Sequence, residues 1–467
     1  MRTVITVDPS GMVDAATQAD LFVMKIERHS SVIPGMTFVR PLELAPLPAW
    51  STPNAVAARG CMLRDALRKH PGIAAVLDSL GTAPPGTKAP LYVKLSEGDA
   101  ELIAWETLCD AANRFVALDK RWPIGRITDP ASTVTRTPPL FRLPVKIMAV
   151  ISAHRAVGLP NDWEVREWEV LRDAAEAAIA AGLPVEVRVL TGDPAVHAQV
   201  TSDIAAARPW ASVAGIEESG TKVLAAVAKW QPNIVHFFCH GRASEDAQQL
   251  ELARGSDFLD ATLQRGSVTI TGDQLATFGD ALDNPWLMVL NCCEGAQASH
   301  ESLSLAHRIV SAAFPAAFAM LEPVDANDAH EFTLAIYGAL LKELRTVKTQ
   351  LEAGQVVRFE WATLTHDARD ALNSLHQGNS AAQREWALPA LYVRGVDAME
   401  FRPAPAAASD SLIASQKAAL QTVVVWLRTL KDSDLSEDRR KQAMAAALTK
   451  EGVPEALWPN VDGTFNA

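Results

Sequence analysis

Two apolar stretches of the sequence lead directly into side chains that could do nucleophilic chemistry. Residues 236–241 read HFFCHG and residues 289–296 read VLNCCEGA, so in each stretch a reactive side chain is closely followed by a glycine. A free thiol, whose ordinary pKa is ~8.5, is mostly protonated at neutral pH and needs a base or an imidazolium nearby to become a good nucleophile. His240 and Cys293 could supply that pair, although 53 positions separate them in the chain.

The glycine after the histidine could also contribute to the chemistry. Because Gly241 has no side chain, its N–H can approach a substrate carbonyl closely. Together with the N–H of Cys293 it could stabilise the oxyanion that develops during acyl transfer.

These residues need a scaffold that brings two distant strand ends together. From about residue 141 onward, apolar runs alternate with helical segments, which favours an α/β fold with a mainly parallel sheet and helices on both faces. Such sheets place their chemistry at the carboxyl ends of the strands. The predicted strands are residues 145–151, 185–190, 234–239, 286–290, 316–321 and 390–393. The predicted helices are residues 163–181, 221–230, 302–313, 329–344 and 357–375.

The two ends of the chain are organised differently from this central part. Residues 1–140 show no clean period and indicate a mixed α/β region, with short strands, helices over residues 56–68 and 100–113, and a polar linker over residues 127–139. We therefore predict a mixed region over residues 1–140, a central domain over residues 141–402 and a helical tail over residues 409–467. The predicted tail helices are residues 412–430 and 436–450. The apolar stripe of the first tail helix either packs on the central domain or docks a partner.

Composition restricts the class of protein. The chain has 43 Lys and Arg against 55 Asp and Glu, a net charge of −12, and an acidic chain without a basic run is a poor partner for nucleic acid. No apolar stretch approaches the ~20 residues that span a bilayer, and Asp8 interrupts any signal-peptide core. Five irregularly spaced cysteines fit a reducing cytoplasm better than a disulfide scaffold. We expect a cytoplasmic protein without a membrane or nucleic-acid partner.

The two motifs, in this order and in this sheet pattern, resemble the CHAT domain, a relative of the caspases, separase and gingipains (the clan CD cysteine peptidases). In caspases, too, the histidine precedes the cysteine by about 50 residues. Other segments resemble the family's upstream Trp-Glu element, the helix after the nucleophile, the next strand with its turn, and the closing strand. These segments are residues 105–106 (WE), 302–306 (SLSLA), 319–325 (AMLEPVD) and 391–395 (LYVRG). The resemblance is firm over residues 145–395 and extends back to about Leu91.

The resemblance implies a role for each residue of the two motifs. Residues 290–294 (LNCCE) align with the family's Leu-Ser-Ala-Cys-Glu, which places the nucleophile at Cys293 and Cys292 at a position usually held by a small residue. His240 would be the general base or the imidazolium partner of the thiolate. The N–H groups of Gly241 and Cys293 would form the oxyanion hole.

The turn after the next strand could set substrate specificity. In related peptidases an acidic residue in this turn can bind a basic P1 side chain, and Glu322, Asp325 and Asp328 occupy the turn here. Because an Asp there is common in the family whatever the specificity, a preference for Arg or Lys at P1 is one hypothesis among others.

The remaining reactive side chains of the two stretches have structural interpretations. His236 is expected to be a hydrogen-bonded structural residue, and Cys239 and Cys292 to be small core hydrophobes, as are Cys61 and Cys109. A zinc site is disfavoured because the chain has no C-x₂-C pair and adjacent cysteines coordinate one metal poorly.

The resemblance implies a cysteine endopeptidase that needs no cofactor and cuts a dedicated partner protein through a thioester acyl-enzyme. CHAT proteins of bacteria are often effectors in defence systems that include CRISPR complexes, gasdermin-like pore formers or nucleotide-signal sensors. We therefore expect a substrate encoded nearby and control by an activating partner or an activating cleavage. Two alternatives stay open: an idle CHAT scaffold, and another thiol enzyme such as an acyltransferase or a hydrolase of small thioesters.

Overall fold

The computed structural model describes most of the chain. The described residues are 2–13, 20–28, 39–52, 54–80, 84, 86–95, 99–130, 139–153, 162–243, 248–260, 263, 266–293, 300–403, 420, 423, 436–450 and 458–459. They fall into two compact units, one that ends at Arg402 and one that begins at Pro403. Within these ranges every helix is too short or too polar to cross a membrane.

The described strands and helices follow the chain in this order. The strands are β1 Thr3–Val13, β2 Asp20–Arg28, β3 Arg40–Leu42, β4 Leu91–Leu95, β5 Ile124–Thr128, β6 Leu140–Phe141, β7 Val145–Ile151, β8 Val185–Leu190, β9 Ala211–Ala214, β10 Ile234–Ala243, β11 Gln248–Leu252, β12 Val268–Thr271, β13 Leu287–Cys293, β14 Ala316–Met320, β15 Val357–Phe359, β16 Pro389–Arg394 and β17 Met399–Pro403. The helices are α1 Ala55–Leu67, α2 Pro71–Leu80, α3 Trp163–Ala180, α4 Pro194–Ala205, α5 Gly220–Trp230, α6 Gly272–Phe278, α7 His300–Ala312, α8 Ala326–Glu352, α9 Thr365–Leu375 and α10 Glu437–Lys450.

One large sheet organises the first unit. Its strands follow the order β3-β2-β1-β4-β5-β16-β14-β13-β10-β7-β8-β9, with β11 and β12 attached through β10. Pairing is parallel from β1 through β4 and β5 to β16, and parallel again from β14 through β13, β10, β7 and β8 to β9. The two halves meet where β14 and β16 pair antiparallel. This arrangement confirms the predicted α/β fold class.

Two predictions for the N-terminal region are wrong. Residues 127–128, expected to begin a linker, lie in β5, which is buried throughout and pairs with β16. Residues 100–113, expected to form a helix, contain the short 3₁₀ turns Asp99–Leu102 and Trp105–Thr107 instead. The cause is tertiary, because the Arg126 guanidinium donates to the carbonyl oxygens of Glu101 at 2.5 Å and Ile103 at 2.9 Å. These tertiary hydrogen bonds stabilise the two short turns in place of a continuous helix.

The end of the first unit and the tail also differ in part from expectation. Residues 357–375 do not form one helix, since Val357–Phe359 is strand β15, paired with β17, and α9 begins at Thr365. Val357 and Phe359 are buried with Arg358 exposed between them, which is the alternation of a strand. In the tail, α10 confirms the helix predicted over residues 436–450. Most of the predicted helix 412–430 lies outside the described residues.

The described residues of the tail form a small hydrophobic cluster of their own. Val423, Met444 and Leu448 are buried together, and Leu420 and Trp458 pack against them. The division of the chain at residues 140 and 409 stays a prediction.

Candidate active site

The carboxyl ends of β10 and β13 bring together the two residues that the sequence pairs as a dyad. The strands are parallel neighbours, and His240 is the register partner of Cys293. Because neighbouring strands lie ~4.8 Å apart and paired positions share a face of the sheet, the two residues occupy one level of the sheet. His240 is 6% exposed. The side chain of Cys293 and residues 294–299 lie outside the described part of the chain.

The path of β10 explains why this level is the edge of the sheet. From Ile234 to Phe238 the strand pairs with β7 on one side and with β13 on the other. β7 ends at Ile151, and beyond that point β11 takes its place beside β10. His240 and Gly241 therefore follow the buried apolar part of the strand, where parallel sheets bind ligands. Gly241 still belongs to β10 and lies opposite Leu250, and its role in an oxyanion hole stays a prediction.

A buried polar network lies under the dyad on the same face of the sheet. It consists of four side chains, each 0% exposed: Glu167, His236, Asn291 and Thr333. Glu167 Oε1 accepts hydrogen bonds from Thr333 Oγ1 at 2.7 Å and from Asn291 Nδ2 at 3.2 Å. His236 Nε2 lies 2.8 Å from the same carboxylate oxygen. The network ties α3 and α8 to the two strands that carry the dyad.

His236, which the sequence analysis interprets as a structural residue, lies in this network. The network also contains residues that the sequence analysis did not single out. Asn291 stands two positions before Cys293, and His236 stands four positions before His240, so strand alternation places both on the face of the dyad. Asn291 also donates to Thr333 Oγ1 at 2.8 Å and to the carbonyl oxygen of Ala329 at 2.9 Å. The sequence signal for this network was the single amide side chain of Asn291 inside an apolar strand, because a buried amide needs hydrogen-bond partners.

Cys292 occupies a different environment from Cys293. It is the register partner of Cys239, one level before the dyad, and alternation assigns both to the opposite face of the sheet. Cys239 is buried and Cys292 is half-buried against the hydrophobic core. This placement agrees with the choice of Cys293 as the nucleophile, which stays a prediction.

The three acidic residues proposed for substrate recognition all lie in the turn after β14 or at the start of α8. Glu322 forms an ion pair with Arg384. Asp325 is exposed and caps α8 by accepting from the Asp328 N–H at 2.9 Å. Asp328 is 3% exposed and lies 2.7 Å from His376 Nε2, and burial raises the pKa of its carboxyl although the histidine opposes the shift. Asp325 is therefore the carboxylate most open to a substrate, and the S1 assignment stays a prediction.

The Trp-Glu element has a clear structural role. The Glu106 carboxylate accepts from Arg126 Nη2 at 2.8 Å and Nε at 3.0 Å, and Arg369 Nη2 lies 4.0 Å from it. All three side chains are 0% exposed. Burial by itself lowers the pKa of Arg126, but the charges of Glu106 and Tyr392 and the hydrogen bonds to both together hold that pKa above its ordinary value. Glu106 thus balances the charge of the buried Arg126 and attracts a second buried guanidinium, Arg369.

No group of three or more metal-ligating side chains is found in the part of the chain that the structure describes.

Comparisons with known proteins place the chain in a family. The model of the CHAT domain matches residues 63–392, which begins earlier than the resemblance read from the motifs. No match was found among the curated proteins.

Two solved structures are similar to this chain at low identity. The Arg-specific cysteine proteinase gingipain R (RGPB) gives a TM-score of 0.36 at 10% identity, over 76% of this chain and 69% of that one. The Saccharomyces cerevisiae separase–securin complex gives 0.32 at 10% identity, over 73% of this chain and 17% of that one. At these TM-scores the likeness supports no statement about activity. The family match, in contrast, covers well over half of the 467 residues, and the chain belongs to the CHAT domain family.

Proposed function

We propose that this chain is a cysteine endopeptidase in which Cys293 is the nucleophile and His240 its proton partner. The observation that carries the proposal is the register pairing of these two residues at the carboxyl edge of the parallel sheet. A nucleophile and a base that the fold holds side by side are what thiol catalysis requires. Membership of the CHAT family supports the same class of reaction.

The reaction would proceed through a thioester. The Cys293 proton moves to His240, and the thiolate sulfur attacks the scissile carbonyl carbon, whose π electrons move to oxygen. The N–H groups of Gly241 and Cys293 would stabilise that oxyanion, which then collapses while His240 gives its proton to the departing amine. His240 then takes a proton from water, and the hydroxide attacks the thioester carbonyl carbon. The second oxyanion collapses with cleavage of the C–S bond, the acid is released, and His240 returns its proton to the Cys293 thiolate.

The substrate would be a dedicated partner protein rather than proteins in general. The support is the family resemblance, which also suggests a regulated cytoplasmic effector of bacterial defence, a substrate encoded nearby, and an activating partner or an activating cleavage. Asp325 is exposed at the start of α8, one strand beyond Cys293, and would favour Arg or Lys at P1. This preference rests on one carboxylate, and a fluorogenic peptide series that varies P1 tests it. An apolar P1 that is cut much faster than Arg and Lys would contradict it.

The proposal is tested by co-expression with candidate partner proteins encoded nearby, followed by mapping of new protein termini by mass spectrometry. Three chains are compared: wild type, Cys293→Ala and Cys292→Ala, the last a matched control one residue away. We expect a partner to be cut by wild type and by Cys292→Ala and to stay intact with Cys293→Ala.

Other outcomes separate the alternatives. Cutting that is lost in Cys292→Ala but retained in Cys293→Ala would move the nucleophile by one residue. Intact partners together with acyl transfer or thioester hydrolysis would favour a different thiol enzyme. Intact partners together with stable binding that does not need either cysteine would favour the idle scaffold.

A further inference from the structure

The strand that follows the catalytic histidine places a carboxylate in line with the dyad. β11 pairs antiparallel with the end of β10, and Glu251 is the register partner of His240. β13 pairs with β10 from the other side, and there Cys293 is the partner of the same histidine. Glu251, His240 and Cys293 thus form one row across three neighbouring strands, with His240 in the middle.

The row is close enough for direct contact between glutamate and histidine. Residues directly opposite each other on antiparallel strands share a face, with their Cβ atoms ~4.5–5.5 Å apart. A glutamate side chain can span that separation and hydrogen-bond to an imidazole. Both residues are buried, Glu251 at 4% and His240 at 6% exposure. Under such cover, the attraction between a carboxylate and an imidazolium is stronger than in water.

The burial of Glu251 is unusual for its position. Leu250 and Leu252 on either side of it point into the hydrophobic core, so strand alternation would lead one to expect a solvent-facing residue between them. Its partner on β12, Thr269, is indeed exposed. Glutamates are almost never fully buried unless they are paired. The burial of Glu251 therefore indicates a charged or hydrogen-bonding partner on the β10 side.

The strand that carries Glu251 is held firmly. Just beyond β11, the Ser152 hydroxyl donates to the Ala253 carbonyl oxygen at 2.6 Å. The Ala253 N–H in turn donates to Ser152 Oγ at 3.0 Å. Gly192 lies so close that a Cβ added to it would meet the Ala253 carbonyl oxygen at 2.0 Å. The Asp257 carboxylate closes the connection to β12 by accepting from the Ser267 hydroxyl at 2.7 Å. Side chains on fixed elements hold catalytic geometry more exactly than those on loops.

We propose that Glu251 is a positioning residue that orients the His240 imidazole toward Cys293 and stabilises the imidazolium formed when the thiol gives up its proton. The inference rests on the proposed function, because it assigns a third member to the same site. No bond is made or broken at Glu251, which acts through His240. Its loss should therefore lower kcat and leave KM for a cleaved substrate unchanged.

The test measures the reactivity of Cys293 without needing the natural substrate. Iodoacetamide is added to the folded full-length chain at fixed pH, and alkylation of the Cys293 peptide is followed by mass spectrometry. We expect Glu251→Gln to slow this alkylation about 10-fold or more, since a charge-assisted hydrogen bond is lost. Glu251→Asp, which keeps the carboxylate, should recover most of the rate. Glu186→Gln, a half-buried strand glutamate of the same sheet on β8, should react like wild type.

The outcomes distinguish failure of this inference from failure of the proposed function. If His240→Ala slows alkylation but Glu251→Gln does not, the dyad stands and the role of Glu251 is overturned. If His240→Ala reacts like wild type, the dyad itself is contradicted. Should Glu251→Gln fail to fold, Glu251→Met takes its place, because its flexible side chain is of similar length and buries no unpaired polar group. The same loss of rate is expected in that variant, and a wild-type rate overturns the proposal.

Discussion

Substitution of Glu106 by glutamine should destabilise the first unit far more than the small change in side-chain structure suggests. The change keeps the shape of the side chain and removes one charge. It leaves Arg126 and Arg369, both 0% exposed, without the carboxylate that lies 2.8 Å from the first and 4.0 Å from the second. Breaking a buried ion pair in this way costs about 3–5 kcal/mol.

The cost converts to a shift in melting temperature. With an unfolding entropy of about 2.1 cal/mol/K per residue and about 400 residues in the unit, the loss corresponds to about 4–6 °C. The control is Glu400→Gln, which removes ion pairs with Arg358 at 3.2 Å and with Arg402 at 3.7 Å. Glu400 is 33% exposed, and the two arginines are 78% and 55% exposed. Surface pairs contribute about 0–1 kcal/mol, so this variant should melt within about 1 °C of wild type.

Scanning calorimetry is the appropriate assay because it also tests the organisation of the unit. Glu106 follows β4 and pairs with Arg126 on β5. β5 pairs with β16, and β16 in turn pairs with β14 of the other half. If the two halves unfold together, Glu106→Gln moves one transition as a whole. Equal shifts in Glu106→Gln and Glu400→Gln would refute the electrostatic reasoning. A shift confined to one of two separate transitions would refute the coupling of the halves.

Three further predictions concern other parts of the first unit. Gly192→Ala should lower the free energy of unfolding in urea by about 1–3 kcal/mol, because its Cβ would meet the Ala253 carbonyl oxygen at 2.0 Å. Gly338→Ala, whose Cβ would have no neighbour within 4 Å among the described residues, should stabilise α8 by up to about 1 kcal/mol, and equal effects of the two changes would contradict this reasoning. Burial raises the pKa of the Cys109 thiol to about 12. At pH 8, iodoacetamide should therefore label Cys109 in the unfolded chain and leave it unlabelled in the folded chain. Rapid labelling of Cys109 in the folded chain would contradict its burial. Burial also raises the pKa of the Asp328 carboxyl, so the folded chain binds that proton more tightly than the unfolded chain does. The stability that this group contributes at low pH is therefore lost as pH rises from about 4 through the raised pKa. Melting temperatures between pH 4 and pH 6 should show this loss in wild type but not in Asp328→Asn, and identical profiles would contradict the assigned shift.

The core of the sheet could be predicted from sequence because most residues of its strands are buried and apolar. The structure has β7 at Val145–Ile151 and β8 at Val185–Leu190, as the apolar runs predict. β7 is an almost continuous apolar run, as in strands that are covered on both faces. β8 alternates buried valines with the half-buried Glu186 and Arg188. Both signals are local. The pairing of His240 with Cys293 was expected from the order of two motifs, whereas their shared register depends on how β10 and β13 align in space.

The features that sequence reasoning missed depend on contacts between distant residues. Residues 100–113 have a helical composition, but the Arg126 guanidinium donates to two of their carbonyl oxygens, and the segment contains short 3₁₀ turns instead. The pair β11–β12 is short, and Glu251 between two leucines looks like a solvent-facing strand position. Its burial becomes evident when β11 is seen to replace β7 beside β10. Neither the hydrogen bonds of Arg126 nor the burial of Glu251 can be predicted from the local pattern of apolar residues.

The most direct test of the central claim is to trap the acyl-enzyme. A cleaved partner protein or peptide is mixed with the enzyme, the reaction is quenched with acid, and intact mass and peptide mapping locate the thioester. The Cys293–His240 dyad predicts one acyl group on Cys293 in wild type and in Cys292→Ala, and none in Cys293→Ala or His240→Ala. An acyl group on Cys292, or peptide cleavage that survives in Cys293→Ala, would contradict it.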